Sequence, residues 1–451
     1  MPNASLLTLL QERAIATPDA EAFTFTDYDV DPAGVAETLT WAQVHRRTLN
    51  AALEFEQYGS PGDRALIIAP QGLDYNVAFL GAMQAGFIAV PLSVPVPGSH
   101  DERVSAVVAD TSPAVVLTTS AVAHLATQYV DDGAAMIAVV SVDTLDLDGP
   151  APTNSAPAEG PDTAYLQYTS GSTRLPAGVM ISHRNLQANY EQLMADYFAQ
   201  HGGVLPDGTK LVSWLPFYHD MGLMLGIAGP IFAGHAADLM SPLAFLGNPM
   251  RWVQALSRPR YAWSAAPNFA FDFAARRASD ADLSDLDLSG ILGIINGAER
   301  IHPPTLVKFN ERFSAVGFRP EMMVPSYGLA EATVFVASGN SGRVPEAVEF
   351  AAEDLVEGIA TRSPGGSPLM RYGMPISPLV RIVDADTCRL CPDGTIGEIW
   401  THGENVSAGY WCKLEQTGAA FGATLADAPP DDAETGWLRT GNRGYSSAGN
   451  L

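Results

Sequence analysis

Short, wholly apolar runs alternate with helical stretches along most of this chain, and that alternation restricts the fold more than any other feature. Trp41–Tyr58 has the spacing of an amphipathic helix. PGDRALIIAP is a turn followed by a strand apolar on both faces, Leu73–Ala85 is helical, and Phe87–Pro91 is a second strand. A helix near Asp101–Asp110 and strands Ala114–Thr118 and Met136–Val140 extend the series. Strands without polar alternation, joined by helices, call for a parallel sheet covered on both faces. Residues 142–162, rich in Pro, Ala and Asp, read as a linker between subdomains. A second series follows: strand Tyr165–Tyr168, helix His183–Ala199, strands Leu211–Leu215 and Tyr261–Ser264, helix Phe269–Arg277, strand Ile291–Ile295 and helix Pro304–Phe313. From Leu379 the pattern turns to two strands around a Pro-Asp-Gly turn. The expectation is an α/β chain of two subdomains with mostly parallel sheets plus a small β subdomain, divided near 1–162, 163–372 and 373–440.

Charge narrows the function. Lys+Arg number 25 against 50 Asp+Glu, a formal net charge of −25. That field opposes extended contact with a phosphate backbone, so nucleic acid is excluded as a partner. Any anionic ligand must be held by local donors or a bound cation. Three cysteines, two of them in the CxxC Cys388–Cys391, are too few for a disulfide framework. The lone CxxC has no second pair and reads as a hairpin turn. The N-terminal residues lack a basic leader, and the most apolar stretch, Val77–Val96, is broken by Gln84, Pro91 and Pro95. The expectation is a cytoplasmic chain without a transmembrane segment.

The densest polar cluster is Thr169, Ser170, Gly171, Ser172, Thr173 and Arg174, which follows a strand. A loop of this composition wraps a polyphosphate with N–H and O–H donors. It has neither the P-loop nor the dinucleotide spacing. By spacing alone, a Ser/Thr/Gly turn without function fits equally well.

The longer stretch YLQYTSGSTRLPAGVMISHRNL, Tyr165–Leu186, resembles the signature of the adenylate-forming superfamily. Its Arg174, and Ala177 where most members carry lysine, are similar to the fatty acyl-AMP ligase branch of mycobacterial type. Further motifs follow in that family's order: SWLPFYHDMGL (213–223), SAAPNFAFDFAARR (264–277), INGAER (295–300), PSYGLAEAT (325–333), GEIWTHGENVSAGYW (397–411) and GWLRTG (436–441). The resemblance implies the large N-terminal domain of the acyl-CoA synthetase-like fold and activation of a medium- or long-chain fatty acid by ATP, giving acyl-AMP and pyrophosphate. It implies that residues 169–174 cradle phosphate, with Thr173 among the catalytic groups. His219 would lie near the α-phosphate, and Glu331 would hold Mg2+. Asn296, Gly297, Ala298 and Glu299 would border adenine, with Ser326, Tyr327, Gly328 and Ala330; Tyr327 would stack on the base. Trp214, Phe217, Met221, Ala265, Ala266, Phe269 and Phe271, with Phe273 beside them, would line the acyl tunnel. In isolation, His219 and the phenylalanines read as ordinary core. An acyl carrier protein, often on a polyketide synthase, is the implied acceptor.

Two departures bear on activity. The family's ribose-binding Asp is Asn442 here, which offers a neutral acceptor. Residues 441–451 would begin a hinge, and the small domain with its catalytic lysine lies outside this sequence, so the chain alone is expected to bind ATP and acid but to turn over weakly. Residues 344–367 resemble the insertion that, in this branch, blocks the rearrangement needed for CoA. Two alternatives stay open: a fatty acyl-CoA ligase, and a non-catalytic nucleotide- or acyl-binding remnant.

Overall fold

Strands buried on both faces must be covered by helices, and two compact units satisfy that requirement separately. The structure, a computed structural model, describes residues 5–96, 98, 100–130, 137–152, 160–169, 176–339, 341–430, 432–447 and 449–451.

The first unit comprises Met1–Gln187, Trp214–Pro242 and Tyr410–Lys413. Its main sheet contains β3 (Arg64–Ile68), β4 (Ile88–Leu92), β5 (Val115–Thr118), β6 (Ala138–Ser141), β7 (Thr163–Tyr168) and β8 (Gly178–Ser182), in the order β6-β5-β3-β4-β7-β8. It is parallel except at the β7–β8 edge. Leu66, Ile68, Val90, Val116 and Leu166 form its apolar centre. The helix Leu73–Gln84 is buried along its whole length, which explains why its sequence lacks a polar face. Gly81 lets it approach the helix Trp41–Phe55, since a Cβ there would stand 2.9 Å from that of Ala51. The same unit holds β1 (Glu21–Asp27), β2 (Val35–Thr40) and β10 (Ala237–Met240), with β1 antiparallel to β2 and parallel to β10.

The second unit comprises Ala188–Ser213, Leu243–Gly409 and Leu414–Leu451. Here β9 (Thr209–Ser213), β11 (Tyr261–Pro267), β12 (Ile291–Gly297), β13 (Met323–Tyr327) and β14 (Ala337–Ser338) are successive neighbours, parallel up to an antiparallel β13–β14 edge. A hairpin pairs β15 (Ala347–Phe350) with β16 (Ser367–Met370). The expected small β subdomain is an antiparallel sheet of β17 (Leu379–Asp384), β18 (Arg389–Leu390), β19 (Gly397–His402) and β20 (Leu438–Gly444).

The α/β architecture stands, but the boundary expected near residue 162 is corrected. The 142–162 stretch returns the chain to the same sheet, where Tyr165 of β7 lies opposite Ala89 of β4. The division falls instead at Gln187/Ala188, inside the helix His183–Tyr197. A proline-rich composition marks an irregular path and says nothing about which sheet the chain rejoins. Among the described residues, no helix is long and apolar enough to cross a membrane.

Candidate active site

In the second unit, three parallel strands end side by side. Ala266 of β11 lies opposite Asn296 of β12, and Asn296 opposite Pro325 of β13. The carboxyl edge of an open parallel sheet is where ligands dock, because successive loops leave it on one side. This edge carries Ala265–Ala266, Asn296–Glu299 and Ser326–Gly328. Ala265, Ala266 and Asn296 are fully buried. A Cβ on Gly297 would stand 3.0 Å from the Ser326 carbonyl, so the two loops pack backbone to backbone. Ala298 takes φ +63° to make the tight turn.

Asn268, a residue the sequence reading passed over, joins these loops. Its Oδ1 accepts from the His302 N–H at 3.2 Å and the Asn296 amide at 3.5 Å, and its Nδ2 donates to Thr305 at 3.3 Å. Glu299 accepts from the Phe269 N–H at 2.6 Å and so meets the N-terminus of the helix Asn268–Arg277, where a carboxylate is favoured.

Past β13, the loop 328–335 is held tightly. A Cβ on Gly328 would stand 1.6 Å from the Val334 carbonyl oxygen, so no other residue fits. Glu331 sits half-buried in a single helical turn, Ala330–Ala332. Burial pushes the Tyr327 phenol up, Thr440 and Asn442 pull it back, and the carboxylates of Glu331 and Glu398 raise it again. Tyr327 packs on the apolar cluster that holds Ala332 and Leu438, so the Glu331 turn and β20, which carries Asn442, share its neighbourhood. Asn442 is exposed; its N–H donates to Thr440 Oγ1 at 3.1 Å and its Nδ2 to the Thr440 carbonyl at 3.2 Å. Buried Glu398 fixes the bulge in β20 by accepting from Trp400 Nε1 (3.0 Å), Arg439 Nε (3.1 Å) and the Gly441 N–H (3.0 Å).

In the first unit, β7 and β8 flank the hydroxyl-rich loop. Ser170, Gly171, Ser172, Thr173 and Arg174 lie outside the described residues; Thr169 donates its N–H to the Ala177 carbonyl at 3.3 Å. The flanks are pinned. Tyr168 Oη donates to Asp110 at 2.7 Å, Lys413 donates to the same carboxylate at 2.8 Å, and the Tyr168 ring lies where a Cβ on Gly178 would be. The Trp411 N–H closes on the Gly178 carbonyl at 2.7 Å. Gln167 reaches from β7 to the Tyr218 carbonyl at 2.7 Å, which ties the strand to the segment bearing His219. His219 precedes the short helix Asp220–Leu223 and is open to solvent. Surrounding protein mass, helped by the Arg103 cation, still holds its pKa below the ordinary imidazole value.

The apolar wall divides. Trp214 and Phe217 are buried in the first unit, and Met221 is half-buried. In the second unit, Phe269, Phe271 and Phe273 do not line one surface as expected. Residues two apart on a helix face opposite ways. Phe269, 44% exposed, and Phe273 both pack on Phe245, whereas Phe271 is buried between Trp252 and Phe309.

Both cysteines of the CxxC are partly buried against apolar clusters. Cys388 packs with Trp400 and Trp437, Cys391 with Ile382 and Ile399. Burial and Asp384 raise the Cys391 thiol, opposite to an activated cysteine.

Comparison with known proteins adds to this geometry. Residues 10–411 match the AMP-binding enzyme family. The putative fatty-acid–CoA ligase fadD21 of Mycobacterium leprae (strain TN) is 58% identical, over 100% of this chain and 79% of its own length. The long-chain-fatty-acid–AMP ligase FadD28 of Mycobacterium tuberculosis (strain ATCC 25618 / H37Rv) is 50% identical, over 100% and 78%. The crystal structure of a fatty acyl-adenylate ligase from L. pneumophila, in complex with acyl adenylate and pyrophosphate, superposes with a TM-score of 0.86 at 32% identity, covering 99% of this chain and 76% of that one.

Proposed function

We infer the function from one premise: the chain belongs to the AMP-binding enzyme family. Its reaction is the adenylation of a fatty acid. A carboxylate oxygen attacks the α-phosphorus of ATP, the bond to the β-phosphate oxygen breaks, and acyl-AMP and pyrophosphate form. The observation that carries this reading is the carboxyl edge of β11, β12 and β13, where the loops after β12 and β13 pack backbone to backbone beside Tyr327. The kinship to FadD28 and the L. pneumophila ligase supplies the acyl class.

The division of labour follows from the residues. Tyr327 offers an aromatic face to adenine. Asn296–Glu299 border it, and Asn442 meets ribose. Thr169–Arg174 supply donors to the phosphates. His219, favoured in its neutral form near pH 7, donates a hydrogen bond without competing as a fixed cation. Among the described residues there is no cluster of three or more metal-binding side chains. A lone Glu331 fits Mg2+, which is commonly held by one or two carboxylates plus substrate phosphates. Bound there, the ion would neutralise phosphate charge in this acidic protein.

Acyl transfer to a carrier protein, rather than to CoA, is the second half of the reading. The 344–367 insertion supports it, because it is built into the second unit. Ala360 donates its N–H to the Gly394 carbonyl at 3.2 Å, Ile396 donates back to Gly358 at 3.1 Å, and buried Phe350 meets the Tyr445 ring. Mass spectrometry of products from ATP, Mg2+, a fatty-acid panel and CoA tests the proposal. Acyl-AMP without acyl-CoA is expected; acyl-CoA as the main product would move the chain to the CoA ligases, and binding of nucleotide or acid with no acyl-AMP formed would leave a non-catalytic remnant.

A further inference from the structure

Glu331 is the metal-side carboxylate of the proposed reaction, yet it sits on a loop with no regular secondary structure beyond one turn. A side chain that must meet a small hard cation needs a fixed backbone. Something outside the loop has to hold it.

The holder is Asn405. It is fully buried. Its Nδ2 donates to two loop carbonyls, Ala332 at 3.0 Å and Phe335 at 2.8 Å. Its Oδ1 accepts from Gln192 Nε2 at 3.1 Å. Its own carbonyl accepts from the Thr333 hydroxyl at 2.7 Å. Two residues on, the Ser407 N–H donates to the Glu331 carbonyl at 2.9 Å. Four of these five bonds end on residues 331–335. Thr333 needs them: it stands at φ +65°, a left-handed conformation that a β-branched residue adopts only when its surroundings enforce it. Gly328 and the Val334 carbonyl close the loop from the other side.

We propose that Asn405 is a positioning residue for Glu331, fixing the loop so that the glutamate is presented to the nucleotide-bound divalent cation. The claim rests on the adenylating function above and assigns a role to a residue that touches neither nucleotide nor acid. Both side-chain donors are needed, so aspartate, which keeps the shape and the acceptor but lacks the N–H groups, does not substitute.

Calorimetry on the full chain tests this, with AMP, with ATP in chelator, and with ATP plus Mg2+. The quantity read is the gain in ATP affinity on adding Mg2+. For Asn405→Asp and Asn405→Ala, AMP affinity is expected to stay within about twofold while the Mg2+ gain falls by about tenfold, the scale of unmaking buried hydrogen bonds. Glu331→Gln should lose the same gain, and the double variant should lose no more than either single one. Thr333→Val, which removes one bond, is the milder variant if Asn405 substitutions fail to fold, and should lose part of the gain. An unchanged Mg2+ gain overturns the proposal. So does a parallel fall in AMP and Mg2+-ATP affinity, which marks a merely structural asparagine. Wild-type chain that binds neither AMP nor ATP would instead refute the adenylating function itself, and the role of Asn405 with it.

Discussion

Replacing Asn442 by Asp should tighten nucleotide binding, and the structure limits by how much. The carboxamide stands exposed at the bulge of β20 opposite Glu398–Trp400, with its Nδ2 spent on the Thr440 carbonyl at 3.2 Å. A carboxylate there loses that bond and gains charge-assisted acceptance from the ribose hydroxyls, worth roughly 1–2 kcal/mol. That corresponds to about five- to thirtyfold in Kd. Like charge opposes it. Glu398 holds the neighbouring Gly441 N–H at 3.0 Å, and Glu331 is close enough to act on Tyr327. Solvent screens these repulsions at an exposed bulge, so a gain of about three- to tenfold should survive. Calorimetry with ATP and with 2′,3′-dideoxy-ATP separates the causes. The gain must appear with ATP and vanish with the dideoxy analogue. Equal or weaker ATP binding, or the same gain with both nucleotides, would refute the reasoning.

Other outcomes follow from the same contacts. Burial lowers the pKa of His45 and His183, so the unfolded chain binds more protons below the ordinary value of about 6.5 and stability should fall as pH drops from 7 to 5.5; thermal melts of wild type and of His183→Asn check this, and a flat wild-type profile would contradict it. Gly328→Ala forces a Cβ onto the Val334 carbonyl and should cost at least about 3 kcal/mol, read by urea unfolding; a loss below 1 kcal/mol would mean the loop yields freely. Glu398→Ala leaves the buried indole N–H of Trp400 without its acceptor, at about 1–3 kcal/mol, removes the partner of the Gly441 N–H, and should weaken ATP binding through the β20 bulge that carries Asn442; unchanged affinity would detach that bulge from ribose. Deleting 344–367 should permit acyl-CoA formation in a version carrying the small domain, and continued absence of the CoA ester would show that the insertion is not the gate.

Much of the fold was legible because burial writes itself into composition: apart from Arg64 and Thr118 at their ends, β3, β4 and β5 are apolar, as doubly covered parallel strands must be. The candidate site was readable through motif order, since the segments 295–300 and 325–333 carry small residues whose close backbone packing the structure shows. Three things were hidden. Strand partnership was one, because β7 joins β4 across a long intervening stretch and no local signal records it. Helix phase was another: the phenylalanines at 269, 271 and 273 looked like one wall until their spacing was read as opposing faces. The supports were the third. Asn268, Asn405 and Glu398 are ordinary polar residues in sequence, and their importance lies in which distant carbonyls and N–H groups they satisfy.

The Lys413–Asp110 pair has a consequence for biosynthesis. The partners are 303 residues apart. At a synthesis rate of about 5–20 residues per second, Asp110 leaves the ribosome roughly 15–60 s before the lysine that neutralises it is made. Until then β7 has only half its anchor, and the Trp411 clasp on Gly178 is missing as well. The nascent first unit must therefore wait, incomplete, while nearly the whole second unit is translated, and it is during that interval that holding chaperones would have most to protect.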